Sequence, residues 1–158
     1  MLDNYFLLFT LDCYQTDSLI AGRLLLMNGP NIVERFIATS GLPGFQFNGA
    51  YSLTARGPIP RPDIAGLPYY TVTTVADYVT AEEQPGIAGN FYAVTPDEVQ
   101  LNGVTRGLFG IHRDANVPGT NGCIGLLTAN GWDAFQKHML KLQDAGVKSL
   151  PLQVDYSL

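Results

Sequence analysis

The chain has 158 residues, 46% hydrophobic and 15% charged, which excludes a disordered polymer and leaves enough material for one buried core. Seventeen glycines and ten prolines without a Gly-x-y period exclude collagen and predict a turn-rich, mainly β protein, read as a single domain over 1–158. Nine Lys and Arg against fourteen Asp and Glu give a net charge of −5; the basic residues form no run, which argues against nucleic acid or an anionic membrane as partner.

The start of the chain is apolar but has no Lys or Arg before its apolar stretch. It therefore reads as a strand rather than a Sec export signal. Residues 5–15, 22–28 and 32–39 predict three strands of an antiparallel meander, the last two separated by the turn residues Asn28-Gly29-Pro30-Asn31. Residues 40–68 carry two Pro/Gly segments and predict a long ordered loop, because proline gives no ladder donor. Residues 69–80 return to β composition, and 81–90 form another loop. Short strands follow at 91–94, 98–101, 104–112 and 123–127. A helix is expected over about 130–146. Asn130 is its cap, Trp132, Phe135, Met139 and Leu142 face the core, and Gly146 follows its end. Residues 152–156 predict a last strand. No stretch reaches the ~20 apolar residues of a membrane span.

Chemistry concentrates in residues 109–127. His112 ends an apolar strand, a polar turn follows, and Cys123 opens the next apolar run directly after Gly122. A thiol becomes a strong nucleophile when an imidazole takes its proton. Neighbouring strand ends are expected to bring the ring and the sulfur to roughly 3–4 Å. Gly122 lets a substrate carbonyl approach the backbone, and the N–H groups of Gly122 and Cys123 are the candidate oxyanion donors. For an arbitrary Cys–His pair the commoner outcome is a buried thiol and a satisfied core histidine. Two cysteines also allow a Cys13–Cys123 bridge, but the setting of Cys123 favours a free thiol. No spacing of His112, Cys123 and His138 with a carboxylate matches a zinc-ligand pair, so no metal is expected.

The string His112…Thr120-Asn121-Gly122-Cys123-Ile124 resembles the His…Ser/Thr-x-Gly-Cys-Ile/Val pattern of L,D-transpeptidase catalytic domains of the YkuD type. Thr39-Ser40-Gly41-Leu42-Pro43-Gly44 and Gly57-Pro58-Ile59-Pro60 are similar to elements of compact relatives in phages and among type VI secretion effectors. The resemblance spans roughly residues 20–146 and is strongest over 107–127. It implies an L,D-transpeptidase-like β-sandwich or barrel with one C-terminal helix. It also implies a cysteine enzyme, without cofactor, that transfers or hydrolyses acyl groups of peptidoglycan stem peptides. Cys123 is then the nucleophile and His112 the base. A backbone carbonyl at Arg113 or Asp114, or the Asp114 carboxylate, orients the ring. Arg106 is assigned to a substrate carboxylate, with a surface salt bridge as its plainer role. Arg113, Thr120 and Asn121 complete the substrate contacts. Asn121 stands where many members carry a second His, and Gly125 where they carry Arg. The chain is expected to act in the periplasm or at the cell wall. Without a Sec signal, the expected routes are a virion or an injection device, with phage-tail or injection-system proteins as partners. The rival reading is a non-catalytic structural or wall-binding component of such a device. A third is a cysteine peptidase acting on ordinary protein.

Overall fold

The computed structural model describes residues 4–157. Strands β1 (Tyr5–Asp12), β2 (Gly22–Asn28) and β3 (Asn31–Ser40) form the expected antiparallel meander. Their period of two buries Leu7, Phe9 and Leu11 from β1 and Leu24 and Leu26 from β2. The chain continues through β4 (Tyr70–Thr73), β5 (Asp77–Val79), β6 (Gly89–Thr95), β7 (Glu98–Leu101) and β8 (Val104–Gly107). It ends with β9 (Gly110–Arg113), β10 (Ile124–Leu126), α1 (Ala129–Asp144) and β11 (Ser149–Ser157).

The main sheet runs β4-β11-β1-β2-β3-β10-β9-β6-β5, and a further pairing of β4 with β6 closes it into a barrel-like ring. Closure covers edges that would otherwise expose unpaired backbone groups. The β7–β8 hairpin stands apart as a two-stranded sheet. Two neighbours in the ring are parallel, β1 with β11 and β9 with β10.

Three expected elements differ. The 69–80 run breaks after Thr73, because the Thr74 amide and hydroxyl both bond to Lys148 O, at 3.0 and 3.1 Å. The 104–112 run breaks at Leu108, whose φ is +60°. Its amide turns to Asp97 O at 2.9 Å, while Phe109 O accepts from the Val94 amide at 3.0 Å. Within the 40–68 loop, 3-10 turns form at Ala50–Ser52 and Pro62–Ala65.

The helix starts two residues earlier than Asn130 implies. Thr128 is the cap, and its hydroxyl accepts from the Gly131 amide at 3.0 Å. Trp132, Phe135, Met139 and Leu142 are buried as their spacing requires. Phe135 meets Phe36 of β3 edge to face at 5.5 Å and Tyr92 of β6 at 5.4 Å. The helix thereby braces the ring beside β9 and β10, the strands that carry the candidate site. His138, to which no role was assigned, bonds Glu34 at 2.9 Å.

Candidate active site

The parallel pairing of β9 with β10 sets the site. Parallel neighbours usually need a long crossover, yet only residues 114–123 join these two. That segment must fold back along the pair, and it carries Thr120 to Cys123. His112 stands opposite Gly125, two residues beyond Cys123. Cys123 lies one residue before β10 begins, on the approach to that pairing.

Both side chains line one cavity of about 260 Å³. Cys123 also lines a second cavity of about 450 Å³, together with Glu98, Thr105, Arg106 and Leu108. Gln84, Ile87 and Asn121 belong to both cavities. Cys123 is therefore common to both chambers. The loop predicted over 40–68 flanks the chambers through Leu42, Thr54 and Ala55. The sequence reading missed the contribution of residues 84–87. Their turn is held by Gln84 N–H to Thr80 O at 2.9 Å, and Asn116 Nδ2 ties it to the crossover through Pro85 O at 2.6 Å. The signal for it was the Gly/Pro loop at 81–90.

His112 is 3% exposed and stacks on Phe91 at 6.2 Å. Its Nδ1 bonds the Arg113 carbonyl at 2.7 Å. A carbonyl only accepts, so Nδ1 carries the hydrogen and Nε2 is left with its lone pair. Burial lowers the ring's pKa below 6.5, with the Arg113 carbonyl opposing. The imidazole is neutral at pH 7, as a general base must be.

The two side chains have separate hydrogen-bond partners. No hydrogen bond joins His112 to Cys123 among the described residues; the Cys123 thiol instead donates to Leu108 O at 3.5 Å. Burial pushes the Cys123 pKa up to about 12, against the Gly110 amide and Arg106. Cys123 therefore rests as a thiol, not a thiolate. Cys13 is also free, and burial with Asp12 nearby pushes it to about 11. In the folded protein both thiols are expected to alkylate slowly with iodoacetamide at pH 7, with rates still climbing above pH 9. Mass spectrometry of each labelled peptide measures this, and a plateau below pH 8 for Cys123 contradicts the buried thiol.

The remaining candidates separate into different tasks. Among the described residues Arg106 forms no surface salt bridge; it is 2% exposed and bonds backbone carbonyls. Asp114 does not reach the His112 ring; its Oδ2 accepts from the Gly119 amide at 2.9 Å and fixes the crossover. Burial raises its pKa, against the Gly119 amide and Arg113. The Arg113 guanidinium bonds Leu126 O at 3.3 Å, so its carbonyl, rather than its charge, serves the site. Thr120 is 5% exposed. Its hydroxyl donates to Cys123 O and accepts from the Gly41 amide at 3.0 Å and the Gly122 amide at 3.3 Å. The Gly122 amide, one expected oxyanion donor, is therefore already engaged. Asn121 is exposed and lines both chambers. At Gly125 a Cβ would lie 3.0 Å from both Asp114 Cβ and Thr120 Cγ2, so a side chain there would require those neighbours to give way.

A platform under the loop that carries Cys123 was not legible locally. The Gly57-Pro58-Ile59-Pro60 carbonyls are all taken by buried side chains. Arg106 holds residues 57 and 58, Tyr156 holds 59, and Tyr70 holds 60. The two prolines bring no N–H, and the Ile59 amide donates to Ser40 Oγ at 2.8 Å. Ser40 Oγ in turn donates to Gly122 O at 3.3 Å. Every polar backbone group of this buried segment is thus satisfied. Gln46 buttresses it by donating to Thr39 Oγ1 at 2.8 Å and Ser40 O at 2.9 Å.

No protein-family model, no curated protein and no solved structure matches this chain.

Proposed function

We propose that this chain is a cysteine acyl-transfer enzyme of the L,D-transpeptidase type, acting on peptidoglycan stem peptides at the cell wall. One observation carries the reading: a neutral, carbonyl-oriented His112 and the Cys123 thiol line the same cavity, with a second chamber opening on the sulfur. The string around the cysteine supplies the substrate class, through its likeness to that family. Two chambers suit a reaction with two peptide arms, a donor and an acceptor.

In this mechanism the Cys123 thiol turns from Leu108 O by a side-chain rotation toward His112. Sγ attacks the carbonyl between the L and D centres, and its proton passes to Nε2. The C–N bond breaks, and the leaving D-amino acid takes that proton. Water or an amine then attacks the thioester, giving its proton to His112 and releasing the thiolate, which is reprotonated. Asn121 and Gly125 offer few polar groups to position an incoming amine. Trimming or exchange of the terminal residue is therefore expected to exceed cross-linking.

The test is incubation with tetrapeptide-rich peptidoglycan and separation of the products. Tripeptide or exchanged stems are the expected result, and dominant 3–3 cross-linked dimers contradict it. The acid limb of kcat/KM is expected below pH 6.5, because His112 must be neutral and its pKa is lowered. The sign for stability is the same. The folded ring binds its proton more weakly than the unfolded one, so stability falls as pH drops below 6.5.

One observation favours the non-catalytic reading, namely the thiol given to Leu108 O instead of to His112. Wall binding without any product in the same incubation would establish that alternative.

A further inference from the structure

Arg106 is a buried cation without a counter-ion. Its Nη1 donates to Tyr51 O and to Pro58 O at 3.1 Å, and its Nη2 donates to Gly57 O at 3.0 Å and Asn121 O at 3.3 Å. Among the described residues no carboxylate forms an ion pair with it. Carbonyl dipoles offset part of the cost of burying a charge, but they supply no full negative charge. The guanidinium is also fixed in place, with the Phe109 ring 5.7 Å from its central carbon.

Its position points to the nucleophile. A Cβ at Gly122 would lie 2.5 Å from Nη2, and the φ of Gly122 is +129°. The glycine thus lets the guanidinium press against the residue that precedes the cysteine. Arg106 and Cys123 line the same chamber. The charged or titratable groups that line the two chambers with Cys123 are Glu98 of β7, Arg106 of β8 and His112 of β9. Tyr70 and Tyr156 neighbour Arg106 from the core side, and burial keeps both phenols neutral.

We propose that Arg106 is the fixed counter-charge of the Cys123 sulfur, stabilising the anion formed when His112 removes its proton. Through the Asn121 and Gly57 carbonyls it also fastens the nucleophile loop to the platform beneath. Arg106 is thus a positioning and charge-supplying residue whose missing partner appears only during the reaction. A guanidinium suits this role because it stays protonated even when burial lowers its pKa. The inference rests on Cys123 being the nucleophile of the proposed function, but its test requires no peptide substrate.

The test uses a Cys13→Ala background and follows alkylation of Cys123 by iodoacetamide from pH 7 to 11. Arg106, Arg106→Lys and Arg106→Met proteins are compared, with thermal melts in parallel. The Met variant is expected to react about tenfold more slowly at pH 9, an upward shift of about one pH unit in the profile. The Lys variant is expected to recover most of that loss while melting lower than the parent, because it keeps the charge but loses carbonyl bonds. A clamp without an electrostatic role would lower both melting temperatures and leave the alkylation profile of the folded variants unchanged, which overturns the proposal. A second measurement needs no Arg106 variant and so survives a Met protein that does not fold. The ratio of iodoacetate to iodoacetamide reactivity at Cys123 is expected to exceed that of free cysteine at least about threefold, because a fixed positive charge attracts the anionic reagent. Equal ratios overturn the proposal. Failure to turn over stem peptides would remove the proposed function and leave both readouts intact; unchanged readouts alongside turnover would remove only the role of Arg106.

Discussion

Cys123→Ala is expected to abolish turnover of tetrapeptide stems, by at least about 10⁴-fold, while the chain stays folded. In the proposed mechanism the covalent step needs the Cys123 sulfur. The structural loss is small. The thiol makes one weak bond to Leu108 O, and alanine keeps the Cβ that the loop already accommodates. Removing the buried sulfur costs about 1 kcal/mol. Cys13→Ala is the control. That residue lines a separate small cavity with Tyr51, Arg61 and Tyr156, so it should leave product formation largely unchanged. Muropeptide separation measures activity and circular dichroism measures folding. Full activity in folded Cys123→Ala would sink the cysteine mechanism.

Gly57→Ala is expected to be the most damaging small substitution in the platform. A Cβ at residue 57 would lie 1.7 Å from Ala50 O and 2.5 Å from Ala50 C. Both are backbone atoms, so no flexible side chain can yield. The clash must separate the 50–57 segment, and with it the carbonyls of Tyr51 and Gly57 that Arg106 holds. The cost is about 3 kcal/mol, or a fall in Tm of roughly 10 °C for a domain of this size. Activity should fall with it, because Asn121 and the nucleophile loop hang on the same guanidinium. Gly86→Ala provides the contrast, since a Cβ there meets nothing within 4 Å and no positive φ is involved. Its melting temperature should stay near that of the parent. Equal melting of the two variants would mean that the 50–57 contact is not rigid.

The sequence by itself determined the elements that local periodicity and residue chemistry control. The meander of β1, β2 and β3 follows from alternation and one turn. The inner face of α1 follows from the spacing of Trp132, Phe135, Met139 and Leu142. His112 and Cys123 stood out by residue type and setting, and the fold brings both to one cavity. Tertiary structure decided what depends on distant partners. Parallel pairing of β1 with β11, and the β4–β6 contact that closes the ring, join segments whose sequences carry no mutual signal. Leu108 takes a positive φ against its own preference, because its amide is drawn to Asp97 O and the β7–β8 hairpin must turn away. Thr128 displaces Asn130 as the helix cap, because the chain leaving β10 turns there. Arg106 looks from its neighbours like a surface cation. Only the arrival of the Tyr51, Gly57, Pro58 and Asn121 carbonyls buries it. Residue identity supplies the chemistry of His112 and Cys123, but the pairing of β9 with β10, which sets His112 opposite Gly125, decides where the two side chains stand.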